Sequence, residues 1–280
     1  MKITLKNSLI LLSIIFLISC QKPKNPQEII GFNIPSSGWN TIIYINDDPI
    51  QRTNGDSIFS TFSTWLVSGE NKISYHATKS QGTNLLPRNF DIIFIKQLLT
   101  GKQVKSEQVY GFSADHIAEF YTDRFTLNSN NANENALKQA ESIKEFSDTD
   151  KNQIYILIEK YCALLRTKQT NQAFEFGEPL DPKYKNIKIK KLALKQLNEI
   201  LSVDNYIVKL STIDQLEFVV GKSVVLVFLK NPGPIYSRES IVFAGKNPES
   251  VNKTNNWNHG IFLDNAHFIK INGSWVMLRV

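Results

Sequence analysis

Four groups of side chains in this 280-residue sequence could do chemistry. Asp264 and His267 stand three residues apart in "LDNAHF". A carboxylate that orients an imidazole in an apolar pocket makes a polarised general base. Residues three apart along a strand point to opposite faces, so this pair converges only if Asn265 marks a bulge. Otherwise His267 is a buried ring bonded to backbone and Asp264 sits in a turn, which the spacing favours. Trp257 and His259 lie in "NKTNNWNHG". An aromatic among amides is what a glycan-binding rim uses, because the ring face covers C–H groups while the amides bond hydroxyls; the competing reading folds Trp257 back onto a sheet as a loop anchor. Lys183, Lys185, Lys188, Lys190, Lys191 and Lys195 crowd "KYKNIKIKKLALK", a solvated helix face that could also adhere to an anionic surface. The last group is the two cysteines, Cys20 at the close of "FLISC" and Cys162 within "IYILIEKYCALL".

Much familiar chemistry is excluded. No two glycines are closer than seven positions, so neither GxGxxG nor the glycine pair of a Walker loop exists. HExxH, CxxC, GxSxG and the acidic calcium-loop pattern are also missing, and nothing in the sequence implies a cofactor or a metal. Lys plus Arg number 32 against 26 Asp plus Glu; without Lys2 and Lys6 the balance is 30 against 26. So small and dispersed a surplus argues against a nucleic-acid partner.

Lys2 and Lys6 precede a run from Ser8 to Ile18 that is apolar apart from two serines. Its length suits the h-region of an export leader and falls short of the ~20 residues that span a bilayer. Leu17, Ile18, Ser19 and Cys20 close it, and this order resembles the lipobox of bacterial lipoproteins. The resemblance implies a leader over residues 1–19, acylation of Cys20 and attachment to the lipid bilayer of the cell envelope through that residue. Gln21 follows where inner-membrane lipoproteins often carry Asp, so the resemblance favours the outer membrane. Residues 20–28 then form the lipidated cysteine and a polar, proline-containing tether. With Cys20 lipidated, Cys162 has no partner for a disulfide and reads as a small buried hydrophobe.

Residues 29–126 read as an all-β sandwich. "TIIYIN", "NKISYHA" and "FDIIFIKQLL" are short, β-branched and aromatic, divided by turn residues such as Asp47-Asp48-Pro49 and Asn54-Gly55. Alternation in "NKISYHA" turns Ile73, Tyr75 and Ala77 inward and leaves Lys72, Ser74 and His76 to water. The phrase "FSTWLVSGENKISYHA" resembles the strand-turn-strand of bacterial β-sandwich modules, including the sugar-binding sandwich at the front of family 2 glycosidases. That resemblance implies a tight turn at Gly69, Glu70 and Asn71 with Trp65 and Leu66 beneath it, a scaffold without catalysis.

An Asn-rich linker with a short helix in "ALKQAESIKEF" occupies residues 127–146. Ser147 and Asp150 then have capping-box spacing, and Ile154, Ile158, Tyr161 and Leu165 form one apolar stripe. A second helix is expected near Lys188 to Ser202, burying Leu192, Leu194, Leu197 and Leu201. Strands follow, ending in a hairpin on Asn272-Gly273 that pairs Ile271 with Ser274, Ile269 with Val276 and His267 with Leu278. Its His267 face is expected to look inward. Helices followed by an antiparallel run make residues 147–280 an α+β domain. In element order and in its closing "NGSWVMLRV" it resembles the NTF2-like, or SnoaL-like, fold, which implies helices on a curved sheet around a conical pocket. A strand-rich insert from "NPGPIYSRES" to "NKTNNWNHG" departs from that pattern.

Together these features predict a non-catalytic envelope lipoprotein that binds a glycan, another envelope ligand or a protein partner. The alternatives are an NTF2-like pocket enzyme using Asp264 and His267, and a periplasmic immunity or inhibitor lipoprotein.

Overall fold

A computed structural model describes residues 27–34, 38–53, 55, 58–79, 89–100, 103–115, 118, 120–129, 136–180, 187–230, 240–246 and 260–279. Most of them are in antiparallel β-sheets. Eight strands come first: β1 (Gln27–Ile34), β2 (Trp39–Ile45), β3 (Asp48–Arg52), β4 (Ile58–Thr61), β5 (Gly69–Lys79), β6 (Phe90–Thr100), β7 (Gln103–Ala114) and β8 (Phe120–Ser129). They form two sheets, ordered β4-β1-β6-β7 and β3-β2-β5-β8.

Period-two alternation puts Ile30, Phe32 and Ile34 of β1 and Phe90, Ile92 and Phe94 of β6 on the inner face of one sheet. Trp39, Ile43 and Ile45 of β2 and Ile73, Tyr75 and Ala77 of β5 fill the facing side. Lys72 and His76 on the outer face of β5 are exposed. Rings interlock across the gap: Trp39 and Phe90 lie 5.4 Å apart between centroids, Tyr75 and Phe90 5.6 Å. Aromatic pairs of this kind add about 0.5–1.5 kcal/mol each beyond the area they bury.

Turn chemistry differs from the sequence reading in two places. The β2–β3 hairpin turns on Asn46 and Asp47, at φ 54° and 70°, and Asp48-Pro49 already belongs to β3. Two successive left-handed residues make a type I′ turn, which Asn and Asp tolerate. Gly69 has φ 94°, but Glu70 and Asn71 are already in β5, which Gly69 opens. Asn71 is wholly buried and acts as a clamp. Its amide nitrogen donates to the carbonyls of Val67 (2.8 Å) and Gly69 (3.0 Å), while its oxygen accepts from the Val67 N–H at 2.9 Å. Trp65 and Leu66 are buried, Trp65 within a single 3-10 turn, Ser63–Trp65.

Beyond a second 3-10 turn, Ala136–Gln139, the expected short helix does not continue. The backbone instead bonds to residues ahead in the chain, Glu141 N–H to Lys270 carbonyl and Ile143 N–H to Lys222 carbonyl, each at 2.8 Å. Helix α1 (Asp148–Arg166) starts in a full capping box between Ser147 and Asp150 and buries Ile154, Ile158, Cys162 and Leu165. Next come α2 (Thr170–Glu175), β9 (Glu178–Pro179) and α3 (Ile187–Leu201). On α3 Leu201 is buried and Leu197 packs on the core, but Leu192 is 39% exposed. The helix packs on α2, and its buried side is narrower than its leucines suggest.

The last strands are β10 (Tyr206–Leu210), β11 (Leu216–Val220), β12 (Val224–Leu229), β13 (Val242–Lys246), β14 (Gly260–Leu263), β15 (Ala266–Ile271) and β16 (Ser274–Arg279). They form sheets ordered β11-β12-β15-β16-β9 and β10-β13-β14, with β9 parallel to β16 and every other pair antiparallel. The closing hairpin has the expected register, with Asn272 and Gly273 at φ 50° and 76°.

Both faces of that hairpin are covered. Phe268, Trp275 and Met277 share a core with α1, while Ile269, Val276 and Leu278 join the core of the sandwich together with Leu180 and Val224. The five-stranded sheet is thus a middle layer, helix on one side and sandwich on the other, and the inward face of the sequence reading is one of two.

Candidate functional site

The seam between sandwich and middle layer gathers the buried polar groups that sequence spacing did not connect. Asp48, at the head of β3, turns its Oδ1 across the seam. It accepts the N–H groups of Ser223 (2.5 Å) and Val224 (2.9 Å) as β12 begins. Those bonds favour the carboxylate, yet burial is the larger effect and pushes Asp48 above its ordinary value. Asp47 adds a backbone bond, its carbonyl accepting the Lys222 N–H at 3.2 Å. Gly221 lies so close to this turn that a Cβ would meet Asp48 Oδ1 at 2.7 Å and the Asp47 carbonyl oxygen at 2.8 Å.

At the other end of β3, Arg52 is clasped through its backbone. Asn265 Oδ1 accepts the Arg52 N–H at 3.1 Å, and Asn265 Nδ2 donates to the Arg52 carbonyl at 3.4 Å. The guanidinium lies 4.4 Å from the centroid of the Phe228 ring, a cation–π contact. Burial lowers the pKa of Arg52, opposed by the charge of Glu217.

His267 occupies the centre of the seam. It is 4% exposed, its Nε2 lies 2.8 Å from the Ile50 carbonyl, and its ring centroid is 4.8 Å from that of Trp65. A carbonyl can only accept, so Nε2 carries the proton and the neutral ring has that tautomer. Burial drives the imidazole down to about 4, despite the backbone bond.

The proposed acid–base pair therefore does not assemble. Asp264 is exposed at the corner where β14 passes into β15, and His267 is sealed against the sandwich. No hydrogen bond joins them among the described residues. The corner at Asp264 and Asn265 breaks the alternation, but it sends Asn265 into the seam and leaves the carboxylate outside. His267 also sits on the sheet face opposite α1, whereas a pocket of the NTF2-like kind would lie between helices and sheet.

Cys20, Trp257, His259, Lys183 and Lys185 lie outside the described residues. Lys190 pairs with Glu175 and Lys195 lies 3.9 Å from Glu199, so two members of the lysine cluster are engaged in surface ion pairs. Beside them Lys191, Leu194, Asn198 and Ser202 line a shallow, open depression on α3. Cys162 is fully buried, and burial pushes its thiol up. Among the described residues no cluster of His, Cys, Asp or Glu could hold a metal ion, and no helix is long and apolar enough to cross a membrane.

A second built polar cluster fixes the start of α1. Asp150 bonds the Ser147 N–H at 2.9 Å and hydroxyl at 2.6 Å, accepts the Trp275 indole N–H at 2.9 Å and lies 3.4 Å from Lys270 Nζ. The bonds from Ser147 do most to hold its carboxyl well below the usual carboxylate range.

Asp48, Asn265 and Asp150 are what the seam and the helix start depend on. Only the Ser147–Asp150 spacing announced one of them. Asp48 and Asn265 reach partners about 175 and 213 residues away, a distance at which no local pattern carries information. Comparison of the chain with protein-family models, with curated proteins and with solved structures finds no match.

Proposed function

We propose that this chain is a lipid-anchored protein of the bacterial cell envelope whose folded head binds a partner or ligand rather than catalysing a reaction. The observation that carries the reading is the order Leu17-Ile18-Ser19-Cys20 after a short apolar run preceded by Lys2 and Lys6. An acylated Cys20 would hold the head on a bilayer almost permanently, since two or three chains each contribute ~0.8 kcal/mol per buried CH₂. In this reading the head is a β-sandwich followed by an NTF2-like unit, and α1 lying over one face of an antiparallel sheet supports the second part. Binding is favoured over the acid–base alternative because Asp264 and His267 stand apart and His267 is spent on the seam. Outer-membrane placement rests on Gln21.

The test is metabolic labelling with a fatty-acid probe, followed by membrane fractionation. The unsubstituted protein should take up label and sediment with membranes; Cys20→Ser should do neither. Label retained by Cys20→Ser would overturn the reading.

A further inference from the structure

The point at which the chain leaves its proposed anchor is fixed by register. Gln27 of β1 pairs with Leu99 of β6, and Leu99 pairs with Val104 of β7, so the three stand in one row across the sheet. At ~4.8 Å between strands, Val104 is about 10 Å from the root of the tether. From Val104 through Gln108 every residue is exposed, so both faces of this strand meet solvent. Elsewhere in β7 the alternation returns, with Tyr110 and Phe112 packed on the sandwich core. The start of β7 is thus an arm clear of the sandwich core, and Val104 on it is 53% exposed.

Seven residue steps separate Cys20 from Gln27, a reach of about 25 Å at full stretch. A folded head of this length is about 45 Å across. The tether is shorter than the head it holds, so the side of the head carrying the arm must face the bilayer. Glu107 stands opposite Lys96 in the register, and Val104 is the one apolar residue of the exposed run 104–108, so it is the feature that suits lipid. A single valine binds a bilayer weakly, but the tether makes its encounter intramolecular, at an effective concentration in the millimolar range.

We propose that the β7 arm at Val104 is a bilayer-contacting surface, with Val104 entering the headgroup region of the membrane that holds Cys20. This rests on the lipid-anchor reading. The arm orients the head and presents the opposite end of the sandwich, where Phe120 is 59% exposed, away from the membrane.

The test supplies the anchor chemically, so it does not depend on acylation in the cell. The mature chain beginning at Cys20 is coupled through that thiol to a maleimide lipid in phosphatidylethanolamine–phosphatidylglycerol vesicles; buried Cys162 is out of reach of the reagent. Val104→Trp and Phe120→Trp, both at exposed positions, are compared with the unsubstituted protein in vesicles with and without brominated acyl chains. The added fluorescence at position 104 should be quenched at least about twofold more than that at 120, as expected for a side chain within ~5–10 Å of the acyl boundary. Equal quenching at the two positions, or more at 120, would overturn the surface while leaving the anchor reading intact. The anchor reading fails separately, by acyl labelling of Cys20→Ser.

Discussion

His267 should make the stability of this protein fall in mild acid. In the folded chain the imidazole is neutral, sealed in the seam with its Nε2–H on the Ile50 carbonyl and its ring against Trp65. In the unfolded chain it takes up a proton near 6.5; in the folded chain it does so only at about 4. Between those values the unfolded state binds the extra proton, so stability rises with pH across the window and is fully present above 6.5. Each tenfold step in proton concentration is ~1.4 kcal/mol, so descending from pH 7 to pH 4 should remove about 3 kcal/mol through this group. That is a large part of the ~5–15 kcal/mol typical of a folded domain. The assay is urea unfolding of the protein at pH 7, 6, 5 and 4, alongside His267→Gln. Glutamine can still offer an N–H to Ile50 but has no proton to gain. Other titrating groups, Asp48 and Asp150 among them, are common to both proteins and cancel in the difference. The unsubstituted protein should lose about 3 kcal/mol more than His267→Gln on acidification. Parallel pH profiles would refute the argument, for they would mean that the ring is not held neutral by the seam.

Asp48→Ala leaves two backbone N–H groups of the seam without their acceptor and should cost about 1–3 kcal/mol in urea unfolding, whereas Asp48→Asn, which keeps an acceptor oxygen, should cost less. Asp150→Ala removes a helix cap and the partner of the Trp275 indole together, an expected loss of about 1–3 kcal/mol. Because that carboxyl is held well below its ordinary range in the folded chain, its contribution is complete above the usual carboxylate pKa and disappears as pH falls below it; Asp150→Ala should flatten the acid limb below pH 4. Gly221→Ala forces a methyl against Asp47 and Asp48 and should lower the thermal midpoint by several degrees, corresponding to about 1–3 kcal/mol of overpacking. Cys162 should react with a thiol reagent at the rate of unfolding, and reaction as fast as a free thiol would contradict its burial.

The sequence reaches furthest where the controlling forces are local. Alternation in "NKISYHA" sorts β5 into inner and outer faces because successive side chains on a strand point oppositely. The Ser147–Asp150 pair marks the start of α1 because the first N–H groups of a helix need acceptors within three residues. Asn272-Gly273 sets the register of the last hairpin because both positions take left-handed backbone without strain. Where two local solutions compete the reading slips: Asp47-Asp48-Pro49 looks like a turn, but Asn46 and Asp47 take it, and Pro49 is tolerated in β3.

What tertiary structure alone decides is the use of each face. Periodicity shows that the His267 side of the last hairpin is buried, but not that the sandwich buries it while α1 buries the other side. Leu192 fits an apolar stripe yet is exposed, because burial on α3 is set by where it packs on α2 and β13 and not by the stripe. Asp48, Asn265 and Ile50 become partners of Ser223, Arg52 and His267 only after two halves of the chain have docked. Burial and hydrogen bonding across that seam depend on atoms brought together from some 200 residues apart, and it is this docking that turns His267 from a candidate base into a neutral strut.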